Sequence, residues 1–132
     1  MKLTETFAVL KPDMTIDTVA VSPTIYAQLD AAYNQFKSHA LIAMHAFDKD
    51  WGVWERHPAG DEVVVLLSGA ADMRLRRAGG DDVVALREPG SYVVVPRGVW
   101  HTAEITERAQ MLFITPGEGT ENRETLTPHA VA

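Results

Sequence analysis

The second half of the chain alternates apolar and polar residues in short runs that turn-forming residues separate. Alternation with a period of two is typical of β-strands with one buried face, and Gly, Pro and Asp between the runs indicate turns. Strands this short at such regular spacing predict an antiparallel sandwich or barrel. The predicted strands are residues 61–67, 70–77, 82–87, 91–95, 99–105 and 110–115, with turns at 68–69 and 106–108 among them.

The first half combines two predicted strands, at residues 4–10 and 15–21, with one amphipathic helix. Ser22 and Pro23 indicate where the helix starts, with the serine as N-cap and the proline at the first helical position. Apolar residues then recur at helical spacing, which predicts a helix of about four turns. The apolar stripe consists of Ile25, Leu29, Ala32, Tyr33 and Phe36.

Residues 39–47 are apolar on both faces and predict a strand that is covered on both sides,. His39 and His45 are an even number of residues apart and would share a face of that strand. Because no other ligand-type residue accompanies them at a suitable spacing, we interpret both as ordinary strand histidines. Tyr26 is likewise expected to serve packing.

The composition is that of a single soluble globular domain, residues 1–132. The chain has 132 residues, 46% of them hydrophobic, with no cysteine and a formal net charge of −6. No disulfide framework or thiolate metal site is expected, and the absence of a basic cluster argues against a nucleic-acid partner. The N-terminal residues predict neither a signal peptide nor a membrane span, so we expect a cytoplasmic protein without a membrane partner.

Four residues of metal-ligand type are placed to converge. Glu55 and His57 are two apart on one predicted strand, so both point to the same face,. Glu62 opens the next strand, and His101 follows the turn at residues 96–98. Imidazole and carboxylate together suit Fe, Mn, Zn, Ni or Co, so the sequence predicts one divalent transition metal.

At these residues the sequence resembles the cupin superfamily. The first cupin motif is usually His-x-His, four residues, Glu, six residues, Gly. Here it reads Glu55-Arg56-His57, four residues, Glu62, six residues, Gly69. The second motif, Gly, five residues, Pro-x-Gly, two residues, His, is complete from Gly90 to His101, although the Asn often found four residues later is Ile105.

The resemblance covers about residues 45–116, with the two motifs within 51–116, and the sequence is similar to small single-domain cupins of generally unassigned activity. It implies an all-β, jelly-roll β-barrel of antiparallel double sheet, with a metal near the mouth and the N-terminal α-helix outside the motifs. Residues 1–50 would pack on the barrel or across a dimer. The tail at 117–132 is polar and expected at the surface, where Glu121, Asn122 and Arg123 either attach it to the barrel or reach a pocket rim.

Glu55 stands where the family usually has its first histidine, and two arrangements follow. If Glu55 is a ligand, two histidines and two carboxylates neutralise a divalent ion. If Glu55 is free, His57, Glu62 and His101 form a two-histidine, one-carboxylate set with open positions, typical of non-heme Fe(II) oxygenases. Glu55 would then be a catalytic general base beside those positions.

The alternation also predicts a pocket and a dimer. The residues expected to line a small apolar pocket below the metal are Val53, Val64, Val99 and Ala103, whereas Trp54, Arg56 and Trp100 are expected to face outward. Such a pocket suits a compact small-molecule ligand with an apolar portion and an oxygen for the metal. The outward faces of the strands are also apolar, so we expect a homodimer that covers them.

Three functions remain open from the sequence. The first is a metal-dependent enzyme on a small organic molecule, of oxygenase, isomerase or lyase type. The second is a non-catalytic cupin that binds or senses a small molecule, with or without metal. The third is a structural dimer with a relict site. Fold alone does not choose among them, because one scaffold hosts many chemistries.

Overall fold

The computed structural model describes residues 1–126 and is an antiparallel β-barrel with one helix, as the sequence predicts. Its strands pair in the order β2-β1-β3-β8-β4-β9, while β5 pairs with β6, β7 and β8. The elements are β1 Thr6–Leu10, β2 Ile16–Ala20, α1 Ile25–Ala32, β3 Ala40–Phe47, β4 Trp54–Arg56, β5 Glu62–Arg77, β6 Gly80–Leu86, β7 Tyr92–Val95, β8 His101–Thr115 and β9 Glu121–Arg123.

The two longest strands, β5 and β8, run through the positions where turns were predicted. They pair with each other from Val63 with Ile114 to Leu75 with His101, and the register shifts at three places between Leu66 and Ala71. These irregularities bend the pair without ending it. The turns predicted at 68–69 and 106–108 are therefore wrong, because the polar and glycine residues there mark a bend in two continuous strands.

Gly69 makes this bend possible. Its φ is +80°, in the region that favours glycine, and a Cβ placed on it would lie 1.9 Å from the carbonyl oxygen of Arg108,. The backbone of β8 therefore passes directly over the position that any other side chain would occupy.

The helix is shorter than predicted and begins later. Its N-cap is Thr24 rather than Ser22, and it ends after two turns at Ala32. The chain then takes left-handed conformations from Asn34 to Phe36, with φ between 52° and 62°. This turn brings Phe36 into the same core as Ile25 and Leu29, so these three residues of the stripe are buried without a four-turn helix. Tyr33 is partly buried and Ala32 is exposed.

Two hydrophobic cores hold the molecule together. The larger one fills the barrel between β5, β7 and β8, and the smaller one joins α1 to β1 and β3. Trp100, predicted to face outward, is only 1% exposed, because the guanidinium groups of Arg56 and Arg123 each lie 4.9 Å from its ring. Within the described range, no helix reaches the length and apolarity that crossing a bilayer requires.

The first part of the tail belongs to the barrel. Strand β9 pairs with β4, placing Asn122 opposite Glu55, and Glu121 forms a 2.9 Å ion pair with Arg56. Both roles considered for residues 121–123 therefore occur, since Asn122 also borders the cavity described below. Residues 127–132 of the predicted tail lie outside the described part of the chain.

Candidate metal centre

Three separate segments bring the four predicted ligands to one place. Glu55 on β4 pairs with His101 at the start of β8, while Glu62 is the first residue of β5. His57 follows β4 and its carbonyl oxygen accepts a 3.0 Å hydrogen bond from the amide of Gly98. The turn before His101 is thus tied directly to the first motif.

The side chains converge closely. His57 Nε2 lies 2.9 Å from Glu55 Oε1 and 3.2 Å from Glu62 Oε2, and His101 Nε2 lies 3.1 Å from Glu62 Oε1. One ligand atom from each of the four residues lies within 4.8 Å of all the others. His57, Glu62 and His101 are at most 3% exposed, whereas Glu55 is the most accessible member.

The hydrogen bonds of the two imidazole rings leave their Nε2 atoms free for a cation. His101 Nδ1 lies 3.0 Å from the carbonyl oxygen of Val99, which can only accept, so Nδ1 carries the proton,. His57 Nδ1 lies 2.8 Å from Thr120 Oγ1, whose own proton goes to the carbonyl oxygen of Gly117. When a ring is neutral, its Nε2 therefore presents a lone pair to the centre.

The buried atoms at the centre lack hydrogen-bond partners among residues 1–126. They are His57 Nε2, His101 Nε2 and Glu62 Oε1. When both rings are neutral, these close approaches bring acceptors together with no N–H between them. Buried polar atoms are nearly always paired, so such a group of acceptors fits a shared cation.

The distances between these atoms match a metal coordination sphere. Ligand bonds of about 2.1 Å place adjacent ligands about 3.0 Å apart in an octahedron and about 3.4 Å apart in a tetrahedron. The observed separations of 2.9 and 3.1 Å lie nearer the octahedral value, and that of 3.2 Å lies midway between the two. The residues present therefore fit a divalent ion. His57 Nε2, His101 Nε2, a Glu62 oxygen and Glu55 Oε1 would hold it.

The electrostatics of the metal-free centre follow from the same contacts. Burial alone would lower the pKa of His57, but the carboxylates of Glu55 and Glu62 outweigh burial and raise that pKa to about 9. Burial alone would raise the pKa of Glu62, but His101 and His57 lower it to about 2. At neutral pH a proton on His57 Nε2 thus takes the position of a cation.

We expect metal binding to displace that proton. Because the proton leaves His57 as the metal enters, affinity for Mn²⁺ should rise about tenfold per pH unit from about pH 6 toward pH 9. Calorimetric titration in two buffers of different ionisation enthalpy measures the release directly. An affinity that does not change with pH over this range would contradict the assignment of His57 as a ligand.

A cavity of about 880 Å³ opens onto the ligands. Val53 borders it, but Val64, Val99 and Ala103 are at most 8% exposed and pack in the barrel core instead. The cavity lies on the side of α1 and β3, because core residues fill the barrel below the four possible ligands. The cavity is also larger and more polar than the pocket expected from alternation, since Asp30, Asp48 and Lys49 are among its lining residues.

Several residues of this region were missed or assigned to packing. Tyr26 is 56% exposed and its hydroxyl lies 2.8 Å from Nε2 of His45, at the cavity wall. Thr115 donates a 2.5 Å hydrogen bond to Glu62 Oε2, and Thr120 holds His57. The only sequence signal for any of them is the lone histidine in an apolar strand, because hydroxyl residues carry no distinctive spacing.

No family model and no curated protein matches the chain. Among solved structures, a cupin-2 domain protein from Shewanella frigidimarina is 25% identical, with a TM-score of 0.50, over 58% of this chain and 70% of that one. Oxalate decarboxylase from Bacillus subtilis is 20% identical with a TM-score of 0.52, over 64% of this chain but only 23% of that enzyme. An oxalate oxidase is also 20% identical, with a TM-score of 0.52, over 61% of this chain and 44% of that one.

This chain thus spans less than a quarter of the oxalate decarboxylase that it matches. At these identities the likeness concerns the fold. It confirms the barrel that the two sequence motifs predicted.

Proposed function

We propose that this chain, whose fold is that of the cupin superfamily, is a metal-dependent enzyme acting on a small organic molecule. The observation that carries the proposal is the convergence of two imidazole Nε2 atoms and two carboxylates beside an open cavity. When bound, the metal would supply Lewis-acid or redox chemistry at the floor of that cavity. The chain's own residues hold the ligand rings in one tautomer and surround the site with buried side chains.

Two of the three close separations between the possible ligands suit an ion that accepts octahedral coordination. Mn, Fe and Ni meet this preference better than Zn, which is usually tetrahedral in proteins. Two carboxylates also neutralise a divalent charge, so a bound water would be acidified less than in a three-histidine site. Oxalate decarboxylase holds Mn(II) centres in the same fold, which makes manganese a reasonable first ion to test.

The decisive measurement is metal content. The untagged protein, reloaded with Mn²⁺ or Fe²⁺ and desalted, is expected to retain one ion per chain by mass spectrometry of the digested sample. Sub-stoichiometric metal would favour the second candidate, a module that binds a small molecule without turnover. The replacement of the usual first histidine by Glu55 is the feature that motivates that candidate.

We further propose that Glu55 is a ligand rather than a free base. Its Oε1 lies as close to His57 Nε2 as adjacent ligands of one ion would be. Glu55→Gln is therefore expected to weaken Mn²⁺ binding about ten- to a hundredfold, because the amide oxygen is an uncharged, poorer ligand. Metal affinity is measured by competition with a fluorescent chelator.

Glu104→Gln is the matched control for this variant. Glu104 is paired with Arg74 at 2.7 Å and does not border the cavity, so the same charge is removed without touching the site. Glu104→Gln should bind metal like the parent protein. If Glu55→Gln also kept its metal but lost turnover, Glu55 would instead be the general base.

The homodimer expected from the sequence remains a proposal. Apolar side chains on the outer strands are exposed in the single chain, namely Val83, Tyr92 and Val94. A second copy of the chain would bury them, which is the physical reason to expect one.

A further inference from the structure

A second polar pair borders the cavity in addition to the metal ligands. Tyr26 extends from α1 and His45 from β3, and the hydroxyl and Nε2 lie 2.8 Å apart. Both residues line the cavity, and neither belongs to the metal centre. The tyrosine hydroxyl has both a proton and lone pairs, so it can bond His45 and a ligand at the same time.

Aromatic rings form a continuous wall between this pair and the metal centre. The ring of His45 lies 5.8 Å from that of Phe113, Phe113 lies 5.9 Å from Trp51, and Trp51 lies 6.1 Å from the candidate ligand His101. Phe113, Trp51 and Phe47 also border the cavity. The rings are tilted by 46° to 67° to one another, so an aromatic ligand can pack against their faces or edges,.

The charge of the lining disfavours anionic ligands. The lining residues include one lysine, Lys49, and no arginine. The carboxylates that face it are Asp30, Asp48, Asp50, Glu55 and Glu62. Even with a divalent ion present, the lining stays negative, so a carboxylate ligand would meet repulsion.

We propose that the cavity binds a compact, uncharged aromatic compound with two polar groups. One oxygen would reach the metal, the ring would lie along Trp51 and Phe113, and a second hydroxyl or similar group would bond Tyr26. This inference rests on the proposed function, since it assigns the ligand class of that site. The cavity of about 880 Å³ has room for such a compound,.

The test compares a ligand that has one hydroxyl with two ligands that have two. Binding of phenol, resorcinol and hydroquinone to the Mn²⁺-loaded protein is followed by calorimetry, with benzoate and oxalate as anionic probes. One added hydrogen bond should make resorcinol or hydroquinone bind about five- to tenfold tighter than phenol. Tyr26→Phe should remove this advantage, so that resorcinol and hydroquinone bind no tighter than phenol.

Tyr33→Phe is the matched control. Tyr33 is a nearby tyrosine just after the helix, but its hydroxyl donates to Asp17 at 2.9 Å and it does not border the cavity. This variant should keep the full advantage of the second hydroxyl. The comparison therefore separates loss of a ligand contact from a general effect of removing a tyrosine hydroxyl.

Several outcomes would overturn the inference. If Tyr26→Phe kept the difference between phenol and the diols, Tyr26 would not be the second anchor. If benzoate or oxalate bound tighter than phenol, the uncharged class would be wrong. Metal content is measured on the same samples, so failure to bind Mn²⁺ would count against the proposed function. The affinities of phenol and the two diols for the metal-free protein would then test, independently of the metal, whether Tyr26 contacts the second hydroxyl.

Discussion

His101→Ala is expected to lower Mn²⁺ affinity at least about a hundredfold, so that the desalted protein retains no stoichiometric metal. The ring is completely buried, and its Nε2 is one of the two nitrogens that face the centre. Removing it leaves only His57 and the carboxylates, a set that has lost one of its two neutral donors. Metal retention after reloading and competition titration measure the effect.

His39→Ala is the matched control for that variant. His39 is bonded through Nδ1 to the carbonyl oxygen of Lys37 and does not border the cavity. The His39→Ala variant should retain one metal ion per chain. Because alanine at position 101 also opens space in the barrel, His101→Gln is measured in parallel, with circular dichroism to verify folding. Stoichiometric metal in both folded variants at position 101 would refute the site.

Gly69→Ala is expected to reduce the free energy of unfolding by about 3 kcal/mol or more. The added methyl would meet the backbone of Arg108 and Ala109 at 1.9 to 2.8 Å, and backbone atoms of a paired strand cannot move aside cheaply. The positive φ adds further strain for any residue with a Cβ. Urea denaturation measures the change, and failure to obtain folded protein would be its extreme form.

Gly79→Ala supplies the comparison within the same protein. A Cβ at Gly79 meets nothing within 4 Å, and its φ lies outside the left-handed region. This substitution should change the unfolding free energy by no more than about 0.5 kcal/mol. If Gly69→Ala were as mild as Gly79→Ala, the close approach of β5 and β8 would not be needed for the fold.

Local patterns in the sequence predicted most of the strands and the clustering of the four ligand-type residues. The alternation at residues 91–95 corresponds to β7, and the apolar run at 39–47 corresponds to β3. The spacing from Glu55 to Glu62 placed three ligand-type side chains together, because β geometry and a short turn leave little freedom between them,. The turn chemistry of Pro96 and Gly98 likewise anticipated the return of His101 to the site.

The same local reasoning was wrong where contacts between distant segments determine the backbone conformation. Ser68 and Gly69 have the composition of a turn, but β8 pairs alongside and extends β5 through them. The periodicity of the apolar stripe predicts that the helix continues to Phe36. Instead, a left-handed turn places Phe36 in the same buried cluster as Leu41. In both cases tertiary packing outweighs local propensity, which amounts to about 1 kcal/mol or less per residue.

Period and spacing along the chain were thus sufficient for the barrel class and for the quartet of possible ligands. They did not predict on which side of the barrel the cavity reaches these four residues. Val64 and Ala103 obey the alternation and still lie in the core, while Tyr26 and His45 meet across nineteen positions of sequence to border the cavity. Alternation tells which face of a strand a residue occupies, but only the packing of α1 and β9 on the barrel determines where space remains.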